Sequence, residues 1–224
     1  MSELPDNESE RLLTDNSLAF FGAITASISH ELNNVISIVD QNAGLLEDLL
    51  CGFRNGRTIP DEKLARIAET VQRQTQRGLA LVRRLNKFAH TVDVPETEFD
   101  LNETIVNLGN ICTRFAELRK VRLVLPTENA RLPITGSPFL LQQYLFRVLT
   151  RMLKVSSIND IIKLSLSDDD NMIMVSVEGP LEDYEAEPHE RFIDDFLLQR
   201  LRATTRYEQQ AGGVTMILLL PKKE

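Results

Sequence analysis

Ile28-Ser29-His30-Glu31-Leu32-Asn33-Asn34 is the stretch on which the reading of this chain turns. It lies inside a run from Ser17 in which Phe21, Ile24, Ile28, Glu31, Val35, Ile38, Asn42, Leu45 and Leu49 step by three and four. A flanking series, Leu18, Thr25, Leu32, Val39 and Leu46, repeats every seven residues. The spacing predicts one long helix with a broad apolar stripe, as a bundle helix needs. At about 100° per residue, His30 falls roughly opposite that stripe. Asn34, Ser37 and Gln41 share its side, with Ala23, Ala26 and Ser27 one or two turns earlier. The result is a strip of small and polar residues carrying one imidazole, open to close approach by a partner.

Outward from this helix, residues 1–16 are polar and acidic and read as a disordered leader. On the other side, Cys51-Gly52-Phe53-Arg54-Asn55-Gly56 interrupts the pattern, and Pro60 suits a helix start. A second helix is expected from Asp61 to His90. Its stripe is Leu64, Ala68, Val71, Thr75, Gly78, Val82, Leu85 and Ala89, widened by Ile67, Leu81 and Phe88. Residues 17–92 therefore read as a helical hairpin. Each helix carries a stripe wider than one neighbour covers, so the hairpin is expected to dimerise into a four-helix bundle.

Thr91 to Glu98, with Pro95 and several acids, reads as a linker. Residues 97–224 follow a different pattern. Helices are expected over Leu101–Lys120, with Asp100 or Asn102 as cap, over Ser137–Lys154, with Ser137 capping ahead of Pro138, and over Glu190–Thr205. Val121–Leu125 alternates like a strand. Ile161–Ser167 and Met172–Val177 read as a hairpin, and Val214–Leu220 as a closing strand before Pro221. The fold class is α+β: a helical hairpin followed by a two-layer α/β sandwich with a mostly antiparallel sheet.

The composition excludes several classes. A net charge of -8 argues against nucleic acid, whose phosphates want a basic surface. No apolar run approaches the ~20 residues a membrane span needs, and the N-terminus is not a basic-then-apolar signal. A cytoplasmic location is expected. Cys51 and Cys112 then read as reduced thiols. His30-Glu31 lacks a second histidine four residues on, so it is not the zinc-protease pattern, and no metal site is expected.

The chemistry available at His30 is nucleophilic. A neutral imidazole attacks well near pH 7. A carboxylate beside it can hold the proton of the other ring nitrogen and select the tautomer, the role expected of Glu31. Asn34, one turn on, is placed to position a water. His90 and His189 have no such surroundings and read as surface residues.

Ile28 to Asn34 resembles the phosphoacceptor box of the histidine protein kinases of two-component signalling, in its His-Glu-Leu-Asn-Asn-Pro-Leu variant. Val35 stands at the proline. The resemblance implies a helical hairpin followed by an ATP-binding α/β sandwich. In that family a Gly-Asp-Pro-like turn opens a helix bearing two asparagines four residues apart, the second a magnesium ligand. Here the turn is Gly136-Ser137-Pro138, followed by Leu141, Gln143 and Leu145 in matching places, and the asparagine positions hold Arg147 and Arg151. A cationic side chain cannot ligate magnesium, which wants oxygen donors. The family's Asp-x-Gly-x-Gly, whose acid reads adenine, is replaced by Val177-Glu178-Gly179-Pro180-Leu181, with Val177 at the acid. A shift of one residue would offer Glu178 instead. Pro180 to Glu190, where a glycine-rich lid belongs, is acidic and lacks glycine, whereas Gly212-Gly213-Val214-Thr215 through Pro221 resembles the family's closing strand.

An intact phosphoacceptor beside a lost nucleotide site resembles the dimeric histidine phosphotransferases. The implied function is a phosphorelay carrier. His30, Glu31 and Asn34 are its catalytic group, and Asn33, Ser37 and Gln41 its docking residues. Its partners are response-regulator receiver domains, and no cofactor is bound by this chain, magnesium being expected in the receiver. The alternatives are a histidine kinase with a divergent ATP site and a non-catalytic regulator or phosphatase of a response regulator.

Overall fold

The computed structural model describes residues 6–127, 131–169, 172–180, 187–210 and 213–222. Leu181 and Gly212, two positions of the family comparison, and most of the lid segment lie outside them. Two long helices come first, α1 (Asp6–Arg54) and α2 (Asp61–Asp93). The chain then runs β1 (Thr97–Asp100), α3 (Leu101–Leu118), β2 (Arg122–Val124), β3 (Pro133–Gly136) and α4 (Pro138–Val155). It closes with β4 (Ile161–Asp168), β5 (Met172–Gly179), α5 (Pro188–Leu201), β6 (Thr204–Gln210) and β7 (Gly213–Pro221). Among the described residues, no helix is long and apolar enough to cross a membrane.

Two compact units emerge, Ile24–Lys87 and the rest of the chain, and each is internally packed. In the first, α1 and α2 form the expected hairpin. The turn closes with Arg57 N–H donating to Gly52 O and Gly56 N–H to Phe53 O, and Gly56 takes φ +82°, a conformation glycine adopts without steric cost. Ile24, Ile28 and Val35 of α1 are buried. On α2 the buried series is Ile67, Gln74 and Leu81, spaced by seven. The sequence suggested a seam displaced from this one: Leu64, Ala68, Thr75 and Val82 are exposed. A stripe wider than one partner covers does not say which of its edges faces that partner.

In the second unit a five-stranded sheet has the order β2-β4-β5-β7-β6, with β2 parallel to β4 and the other pairs antiparallel. A small β1–β3 ribbon stands apart from it. Ile162, Leu164, Val175, Val177, Met216 and Leu218 form the buried face of the sheet. Against this core come Ile105 and Leu108 of α3, Leu145, Leu149 and Met152 of α4, and Ile193 and Leu197 of α5. Asp100 caps α3 by accepting from the N–H of Asn102 and Glu103, and Ser137 caps α4 by accepting from Leu140 N–H.

Three expectations need correction. First, α1 is already helical at Asp6, so residues 6–16 are not a disordered leader. Gln143 Nε2 donates to Asn16 Oδ1 (2.9 Å) and Ser17 Oγ (3.2 Å), and Phe20 meets Phe88, Phe139 and Phe146 at ring-centroid distances of 5.1–5.4 Å. Aromatic packing of this kind binds the start of α1 and the end of α2 into the α/β unit. Second, the last helix stops at Leu201, where Arg202 turns left-handed (φ +53°), and Thr204–Gln210 pairs with β7 instead of continuing helical. The β-branched pair Thr204-Thr205 followed by Tyr207 suits a strand better than a helix. Third, the linker read at Thr91–Glu98 shrinks, because α2 extends to Asp93 and β1 starts at Thr97.

Candidate functional site

His30 sits on α1, exposed, with Nδ1 3.4 Å from the side-chain amide nitrogen of Asn34. An i,i+4 spacing stacks the two on one helix face. The amide can serve either tautomer: its NH2 donates to a bare Nδ1, and turned over, its oxygen accepts from Nδ1–H. In the second arrangement the Nε2 lone pair is free and points away from the pair.

Glu31 does something other than expected. Its Oε2 pairs with Arg77 of α2 at 3.0 Å. Adjacent residues on a helix are 100° apart and do not face each other, so Glu31 is turned to its neighbour helix while Asn34 is turned to the imidazole. The ring partner in this structure is Asn34. Asn33, Ser37 and Gln41 are exposed. Ala26 is exposed as well, but Ser27 is buried and does not belong to the open strip. Arg77 escaped the sequence reading because it lies 46 residues from Glu31, and no local pattern links them.

The α/β unit carries the second cluster of interest. Arg147 Nε donates to Asp194 Oδ1 at 2.7 Å, and Arg147 Nη2 to Glu190 O at 3.1 Å. Arg151 Nη1 pairs with Asp194 Oδ2. The three side chains are only 9–14% exposed. Tyr144, also on α4, is buried close by, and burial pushes its phenol well above the ordinary value, reinforced by the nearness of Tyr207 and Asp194. Arg147 and Arg151 are thus not solvated helix residues. They fasten α5 to α4 through one carboxylate.

These are the positions where the family resemblance puts two asparagines, the second a magnesium ligand. Two guanidiniums paired with an internal acid do not fit a magnesium–nucleotide complex. The adenine position fits no better. Val177 is fully buried on the helix side of β5. Glu178 is exposed, and strand alternation turns it to the opposite face, so it cannot replace the missing acid by a shift of one residue. Gly179 does return to the helix side, where an added Cβ would lie 3.0 Å from Met152 Sδ. Among the described residues, no group of three or more His, Cys, Asp or Glu side chains could hold a metal ion. His90 and His189 are exposed.

No protein-family model matches the sequence, and no curated protein is matched to it. Solved structures do match. The catalytic domain of the histidine kinase ThkA superposes with a TM-score of 0.50 at 19% identity, over 58% of this chain and 98% of that one. The histidine kinase AdeS of Acinetobacter baumannii aligns over 87% of this chain and 98% of its own, at 16% identity and a TM-score of 0.48. ThkA in complex with the response regulator TrrA aligns over 100% and 68%, at 18% identity and 0.47. Long N-terminal helices are thus followed by an α/β sheet unit with the fold of a histidine-kinase catalytic domain.

Proposed function

We propose that this chain is a phosphoryl carrier of a two-component phosphorelay, taking a phosphoryl group from the aspartate of one receiver domain onto His30 and passing it to another without using ATP. The observation that carries the reading is the contrast between an exposed His30 backed by Asn34 and a nucleotide position filled by Arg147, Asp194 and Arg151. In the proposed step, Nε2 attacks the phosphorus of the partner's aspartyl phosphate. The N–P bond forms as the P–O bond to the aspartyl group breaks, and the aspartate leaves as a carboxylate. Asn34 Oδ1 accepts from Nδ1–H and steadies the positive charge that develops on the ring. The reverse step regenerates neutral imidazole. The divalent ion that such chemistry uses would arrive with the receiver domain. Asn33, Ser37 and Gln41 would form part of the docking face.

The same reading expects a homodimer. Ile36, Leu45, Leu64, Leu79 and Val82 leave large apolar side chains exposed on the hairpin, 36–62% each, and a second hairpin would cover them. Sedimentation equilibrium of the full chain should return twice the monomer mass.

Labelled phosphoryl transfer from a phosphorylated receiver tests the function. Transfer to the wild type, absent in His30→Ala, is the expected result. A second reading, an ATP-driven kinase, is favoured by the match to a kinase catalytic domain. It requires ATP-dependent labelling of His30 and a rise in melting temperature with magnesium and ATP. Either of these would overturn the carrier.

A further inference from the structure

Away from His30 and from the Asp194 cluster, the α/β unit contains a cavity of about 460 Å3. It lies where the β1–β3 ribbon, the start of α4, the end of α5 and the end of β7 meet. That volume is within the range of small-molecule sites. Its lining divides by chemistry. Phe99, Ile134, Leu141 and Leu220 give an apolar interior, and the last three are at most 4% exposed. Arg200, Arg202 and Lys222 bring three cations to the same cavity against one acid, Glu96. Lys222 is held by Asp168 at 2.7 Å. Arg200 and Arg202 are exposed and have no carboxylate partner among the described residues.

Arg200 and Arg202 thus bring two guanidiniums, with no carboxylate partner among the described residues, to an apolar hollow. Their field attracts an anion, and the apolar lining gains by excluding water from a hydrocarbon or aromatic body. Gly136 also lines the cavity, and a Cβ built on it meets nothing within 4 Å. Its missing side chain helps keep the space open.

We propose that this cavity binds a small amphipathic organic anion, a carboxylate or phosphate monoester head on an apolar body, with Arg200 and Arg202 holding the head. The proposal is independent of the chemistry at His30. The full chain would be titrated calorimetrically with decanoate and with phenyl phosphate. Decanol supplies a tail without a head, and inorganic phosphate a head without a tail.

At least one amphipathic probe should bind with a dissociation constant below about 1 mM, and about tenfold more tightly than its matched control. Which probe wins identifies the head as carboxylate or phosphate. The exposed pair Arg200→Ala/Arg202→Ala should weaken that binding about tenfold or more while keeping the wild-type melting temperature. Gly136→Phe, which fills the interior, should abolish it. If Gly136→Phe does not fold, the arginine pair alone decides. Failure of both probes, equal affinity in the arginine variant, or a control that binds as tightly as its probe would each overturn the proposal.

Discussion

Two pairs of side chains in this molecule share one spacing and have opposite fates. His30 and Asn34 on α1, and Arg147 and Arg151 on α4, are both i,i+4 pairs, stacked one turn apart. The first pair is exposed and joined by a single long contact of 3.4 Å. The second is largely buried, 9–11% exposed, and both its members pair with Asp194. An exposed group is cheap to hold and free to react, whereas buried charges are held only by being fully paired. The hairpin thus leaves His30 open, while in the α/β unit Arg147 and Arg151 serve as a fastening between α4 and α5.

The largest effect expected is on phosphoryl acceptance. His30→Ala should abolish labelling from a phosphorylated receiver. Its melting temperature should barely move, because an exposed substitution away from the core costs within ~0.5 kcal/mol. Loss of labelling together with loss of fold would break the comparison, since His30 would then be structural.

Asp194→Ala should do the reverse. It leaves Arg147 and Arg151 without their shared acid, and breaking a buried ion pair costs about 3–5 kcal/mol. Denaturant unfolding would report the loss. Phosphoryl acceptance at His30 should survive at temperatures where the variant is folded. A neutral result would mean the arginines find water as readily as they found Asp194.

The two cysteines extend the contrast, one in each unit. Cys51 of the hairpin is exposed, and Cys112 of α3 is buried. Burial pushes the Cys112 thiol from 9.0 up to about 12. In the unfolded chain that thiol ionises near its ordinary value, so the unfolded state binds fewer protons across the interval from about 9 to about 12. Stability from this group is intact below pH 9 and falls as pH rises through that window. Cys112→Ala should flatten the alkaline decline in melting temperature, and a thiol reagent should label Cys51 alone in the native chain.

Much of this organisation was legible because it is periodic or local. Steps of three and four marked α1 and α2, Ser137-Pro138 marked the start of α4, alternation marked β2, a hairpin pattern marked β4 and β5, and an apolar run before Pro221 marked β7. What stayed hidden depends on partners distant in sequence. Asp194 meets Arg147 only after α5 folds back on α4, 47 residues later. β1 and β3 have four residues each, too short for alternation to show, and exist by pairing with each other. At His30 the box itself was plain, but the task of Glu31 was not, because adjacency in sequence is not adjacency on a helix.

Arg77 gives the smallest effect and the finest test. Its pair with Glu31 has the 3.0 Å geometry of a good ion pair, yet the arginine is 52% exposed and the acid 14%. Exposed pairs are worth about 0.2–1 kcal/mol, so Arg77→Ala should cost roughly 0.5 kcal/mol at low ionic strength. At about 1 M salt the screening length shrinks to roughly 3 Å, and the difference from wild type should fade. The Asp194 variant should keep its deficit under the same salt, because buried charges are poorly screened. If Arg77→Ala proved as costly as Asp194→Ala, or equally indifferent to salt, the open character assigned to the His30 face would be wrong, since its nearest ion pair would then behave as part of a closed interior.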